Sequence, residues 1–167
     1  LRAVLDVIYL MFSEGYASHD GEELIRQDVC LEALRLARLL ALSSLATAEV
    51  HALTALIALQ AARLPARLDQ AGELVLLEDQ DRSQWDQRLI GLGFHHFNRS
   101  IGGETVTEYH IQAALAGTYS RVAGEGIDWP LILELYDQLI TLNPSPVVAL
   151  NRAVAVARVH GAAAALP

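Results

Sequence analysis

A chain of 167 residues, 53% of them hydrophobic, is long enough to bury one sizeable core and fits a single domain or two small packed halves. Twenty acidic residues against twelve arginines, with no lysine, leave a net charge of −8, and a field of that sign repels a polyanion unless a basic stripe reverses it. The arginines are scattered singly or at helical spacing, so the sequence argues against direct DNA binding by this chain.

The single cysteine, Cys30, sits in an apolar helical stretch and reads as a small buried hydrophobe, consistent with a reducing cytoplasm. Asp6 breaks the first apolar segment, and no small-residue cleavage site follows it. The apolar stretch 39–62 is interrupted by Glu49 and His51, short of the roughly 20 apolar residues that a membrane span needs. No membrane anchor is expected. The chain opens with a helical pattern already running and stops as another begins, which reads as a piece of a longer protein.

In chain order, Leu5, Ile8, Tyr9 and Phe12 recur at three and four residues and predict a first helix, with Gly15 as its stop. A polar loop through His19, Asp20 and Gly21 follows. A second helix places Ile25, Val29, Ala33, Leu36 and Leu40 on one face, with Glu22 and Arg26 as an ion pair on the other. Residues 49–62 are apolar nearly all round, so a third helix should be central, ending before Pro65.

The segment 63–81 departs from the helical pattern. Its run Leu74, Val75, Leu76, Leu77 suits an extended strand or a buried ordered loop, and the loop is favoured. Ser83 stands as an N-cap with Asp86 three residues on, predicting a helix to about Ser100 before Gly102 and Gly103. Thr107 caps the next helix, closed by Gly124 and Gly126. Asp128 caps another, with Pro130 in its first turn, and Asn143 and Pro144 end it. Ser145 and Pro146 then start a helix that runs to His160. The fold class is all-α: a helical bundle over 1–101 with one long ordered loop around 63–82, packed as one unit with helical hairpins over 102–167.

The acidic cluster Glu78, Asp79 and Asp81 is the first candidate for chemistry, since paired carboxylates can bind a metal or act as acid and base. Read as a calcium loop from Asp79, the glycine position holds Gln84 and the bidentate glutamate position holds Ile90, so the pattern fails. The structural reading has these carboxylates tie down Arg63, Arg67 and Arg82 and the following helix start. Glu73, Gln80, Trp85 and Asp86 complete this structural or partner-binding loop. His95 and His96 point about 100° apart on a helix and read as solvent-facing or interface residues, not metal ligands. No nucleophile elbow or phosphate loop is present. No catalytic residue, metal or cofactor is expected.

The motif series is specific. Tyr9 to Tyr16 reads YLMFSEGY, including Phe12, Glu14 and Gly15; then come Leu64-Pro65-Ala66-Arg67, the run GELVLLEDQDRS over 72–83 with Trp85 and Asp86, and Pro144-Ser145-Pro146 leading to Asn151 and Arg152. In order and spacing this resembles the extension that follows the DNA-binding domains in one group of extracytoplasmic-function RNA polymerase sigma factors. Ser13 departs from the asparagine usual there. The resemblance implies a regulatory, non-catalytic domain acting in transcription initiation through protein contacts, in the bacterial cytoplasm. Its implied partners are the sigma domains in cis, missing from this chain, RNA polymerase, and a YCII-like, DGPF-containing protein.

Residues 129–166 also resemble a tetratricopeptide repeat junction, with Tyr136 ahead of Pro144 at the expected interval. Two alternatives stay open: a tetratricopeptide-like binding module of another cytoplasmic protein, and an enzyme that uses the acidic loop 78–86.

Overall fold

The computed structural model describes residues 1–16, 25–121 and 126–165. Seven α-helices span them: α1 Arg2–Tyr16, α2 Gln27–Ala41, α3 Ala48–Ala61, α4 Gln87–Ser100, α5 Glu108–Ser120, α6 Trp129–Leu142 and α7 Pro146–His160. Among the described residues there is no strand beyond an isolated bridge between Leu68 and Leu74. The fold is all-α. The anticipated loop at 19–21, the Glu22–Arg26 pair and Gly124 lie outside the described residues.

Helix α3 is the hub, because its sequence offers apolar side chains in every direction. It packs against α1, α2, α4 and α5. Leu53, Leu56, Ile57 and Leu59 are fully buried, each stabilising the fold by about 1.5–3 kcal/mol relative to exposure. Thr47 caps α3 by accepting from the Val50 amide, and the helix gives way to a 3-10 turn at Leu64–Ala66, around Pro65.

Close helix contacts depend on small residues. A Cβ on Gly93 of α4 would lie 2.5 Å from Leu59 Cγ, so α4 reaches α3 only with glycine there. Gly15 does similar work in the last turn of α1, which ends one residue later at Tyr16. A Cβ there would meet the Arg26 carbonyl at 2.9 Å and Cys30 Sγ at 3.0 Å, while the Gly15 carbonyl accepts from the Arg26 amide at 2.8 Å. Cys30 is fully buried beside it, and burial pushes its thiol up to about 11. Helix α2 is rotated from the expected face: Cys30, Ala33, Leu34, Ala37 and Ala41 are buried, with Leu36 and Leu40 at the margin.

Two apolar clusters share α5. Tyr109, Ala113 and Ala116 face the larger cluster with α1–α4, while Ile111 and Leu115 join Ile132, Leu135, Leu139, Val148 and Ala155 of α6 and α7. Asp128 and Ser145 cap α6 and α7 through the Leu131 and Val148 amides. Thr107 and His110 form a reciprocal capping box at α5.

Candidate functional site

The loop 63–86 is ordered by its own short-range bonds. Asp69 accepts from the Ala71 and Glu73 amides at 2.8 and 2.9 Å, and the Val75 amide donates to the Arg67 carbonyl at 2.8 Å. Gln80 is buried and donates from Nε2 to the Val75 carbonyl. Asp81 accepts from the Ser83 amide and hydroxyl and from Gln84, and these bonds lower its pKa. The loop is not the buried one expected, since Leu74 and Leu76 are 53% and 74% exposed; Leu77 alone of that run packs on the core.

The expected network of Arg63, Arg67 and Arg82 with Glu78, Asp79 and Asp81 does not form. Arg67 lies over the Tyr16 ring, 3.8 Å from guanidinium carbon to centroid, and donates to the Tyr16 carbonyl at 3.1 Å. Arg63 donates to the Tyr16 hydroxyl at 3.1 Å. Arg82 stacks on Trp85 at 4.8 Å and donates to the Arg121 carbonyl. Arg67 and Arg82 thus rest on aromatic faces, onto which a guanidinium desolvates more cheaply than onto exposed, hydrated carboxylates, while Arg63 reaches only the rim of the Tyr16 ring. Glu78 instead pairs with Arg158 of α7, whose guanidinium lies over Trp129.

Nor does Ser83 start α4. Asp86 is the N-cap, accepting from the Arg88 and Leu89 amides at 2.8 and 3.1 Å, and its own amide donates to the Ala62 carbonyl at 2.9 Å. Trp85, 4% exposed, anchors that junction. Ser83 lies in the 3-10 turn Arg82–Gln84 that precedes it.

The remaining motif residues lie on α1 and in or just before α7. Phe12 is buried and stacked on Tyr16 at 5.3 Å, and Glu14 is exposed. Pro144 and Pro146 frame the turn into α7, and Arg152 Nε donates to Asp137 at 2.6 Å.

Two groupings had not been foreseen. Arg2 bonds Asp6, Glu49 and Glu108, joining the first turns of α1, α3 and α5, and Asn143 donates to Glu108 at 2.9 Å. The sequence signal was present: Glu49 and Glu108 each follow a capping threonine, where helix N-termini favour carboxylates. The other is a pair of buried rings, His51 and His96, with Nδ1 atoms 2.9 Å apart. Burial, then the neighbouring His51, holds His96 down to about 4. His95 is exposed as expected; His96 is not, because it faces α3. Among the described residues no group of three His, Cys, Asp or Glu is placed to hold a metal ion.

Two concave surfaces remain. An open groove of about 660 Å³ runs between α1 and α2, lined by Val4, Val7, Leu36, Leu39, Leu40 and Leu45, with Ser43 its single polar member. Val4, Val7, Leu39 and Leu45 are 50%, 63%, 53% and 57% exposed, an apolar concentration that a solvated face does not carry by chance. A polar cleft of about 520 Å³ lies between α3, α5, α6 and α7. Tyr9 closes one side, its hydroxyl donating to Gln112 Oε1 at 2.8 Å.

Residues 1–101, through the end of α4, match the family of unknown function DUF6596. The chain belongs to that family. The family's matched span contains the whole α1–α2 groove and the loop 63–86, and stops before the helices that complete the polar cleft. The chain is also 45% identical over 167 residues to "Uncharacterized protein R00370" of Rhizobium meliloti (strain 1021), covering 99% of this chain and 40% of that protein. The chain therefore spans well under half the length of this relative. No solved structure matches it. Among the described residues no helix is long and apolar enough to cross a membrane.

Proposed function

We propose that this DUF6596 chain is a regulatory domain of an extracytoplasmic-function sigma factor, acting in transcription initiation through protein contacts and not through chemistry of its own. The observation that carries the reading is the apolar groove between α1 and α2. Its occupant is the sigma portion of the same polypeptide, which a relative of more than twice this length has room to encode. The motif series that resembles sigma-factor extensions supports the same assignment. Exposed apolar area of this kind is stabilised by covering it, at about 25 cal/mol per Å². RNA polymerase and a YCII-like, DGPF-containing protein are the further partners of this reading, which sets the protein in the bacterial cytoplasm.

The negative charge fits a domain that leaves promoter DNA to other parts of the polypeptide. The experiment is a full-length protein carrying Val7→Glu or Leu39→Glu, compared with deletion of the whole domain, in promoter-specific transcription. Both residues are exposed, so the fold should survive while transcription changes in the direction that deletion gives. Unaltered transcription in all three sinks the proposal.

A further inference from the structure

The polar cleft is a second surface, sharing no residue with the α1–α2 groove. Its volume, about 520 Å³, falls within the range of ligand sites. Four amide side chains line it: Gln60, Gln112, Asn143 and Asn151. Each amide presents a donor and an acceptor together, the same pair that a peptide bond presents. Gln112 and Asn143 are held by Tyr9 and Glu108, whereas Gln60 and Asn151 make no side-chain hydrogen bond to another described residue.

The charge in the cleft is Arg63. It spends one bond on the Tyr16 hydroxyl and forms no ion pair with a described carboxylate. Glu78 and Glu108, which flank the cleft, are already engaged by Arg158 and Arg2. On a chain of net charge −8, a guanidinium in a concave wall with no ion pair among the described residues is a contact point for an anion. Leu139 and Val148 give the cleft an apolar floor.

We propose that this cleft binds an extended peptide segment, with Arg63 pairing to a carboxylate of that segment and Gln60 and Asn151 pairing to its backbone amides. A small organic acid satisfies the guanidinium but leaves amides contributed by both α3 and α7 unpaired. A peptide satisfies both, and its side chains cover the floor. This goes beyond docking of the sigma portion on the apolar groove, and either can fail while the other stands.

The test is a titration of the 167-residue chain with a labelled pool of terminally blocked pentapeptides holding a central glutamate, beside the matching glutamine pool, read by fluorescence anisotropy. The glutamate pool should bind saturably, and the glutamine pool about tenfold more weakly, the cost of one charge-assisted contact. Arg63→Gln should weaken the glutamate pool by about the same factor, removing the same contact. Since Arg63→Gln also loses the Tyr16 bond, Asn151→Ala is the second variant: it is exposed, should leave the melting temperature unchanged, and should weaken binding by about threefold to tenfold. No saturable binding, equal binding of the two pools, indifference to both variants, or displacement by succinate at lower concentration than by peptide would each overturn the proposal.

Discussion

Arg67 lies flat over the ring of Tyr16, 3.8 Å from guanidinium carbon to centroid, and also donates to the Tyr16 carbonyl at 3.1 Å. One side chain thus clamps the end of α1 to the loop that leaves α3. Arg67→Ala should cost about 1–3 kcal/mol, and Arg67→Lys should restore little of it, because an ammonium lacks the planar face and fork. Chemical denaturation of the three proteins measures this, and full rescue by lysine would show that charge alone matters.

By contrast, Glu78→Gln should change stability by less than about 1 kcal/mol, since its pair with Arg158 is nearly half exposed on both sides and screened by water. Asp81→Asn should likewise leave the fold intact, its exposed carboxylate being bonded only to its own turn. A loss of several kcal/mol from either would restore the acidic cluster as a structural centre.

Gly93→Ala should lower stability by about 1–3 kcal/mol, because the added methyl overlaps Leu59 in the α3–α4 contact. The double variant Gly93→Ala with Leu59→Ala should fall short of the sum of the single losses, as removing Leu59 makes room for the methyl. Strict additivity in thermal unfolding would refute the contact.

Stability should fall between pH 6.5 and about 4 through His51 and His96. Burial lowers both imidazoles from the ordinary value of 6.5, so as the pH drops below it the unfolded chain binds more protons and gains at the fold's expense. A second proton also places two N–H donors face to face across 2.9 Å. His96→Gln should flatten this part of the melting-temperature profile, and an unchanged slope would assign the acid sensitivity elsewhere.

The helices were legible because their signals are local. Asp128 and Ser145 each precede the residues whose amides they cap, and the apolar content of α3 announces a buried helix wherever it packs. The choice between Ser83 and Asp86 was not local: Asp86 wins because its amide reaches Ala62 and Trp85 is buried beside it. Similarly, nothing near Arg67 in sequence names Tyr16, 51 positions away, and the nearer carboxylates were the obvious but wrong partners. His51 and His96, 45 positions apart, meet only through the α3–α4 crossing. The two concave surfaces were equally out of reach, since each is lined by at least two helices whose facing sides depend on packing.

The central proposal, that the α1–α2 groove seats the sigma portion of the same polypeptide, is tested most directly by photo-crosslinking in the full-length protein. A photoreactive amino acid at Val7 or Leu39 is compared with one at Arg35, which is exposed on α2 and paired to Glu32. The expected result is an intrachain crosslink from positions 7 and 39 to residues outside this domain, absent from position 35. Equal crosslinking at all three positions, or none beyond the domain from 7 and 39, contradicts the proposal.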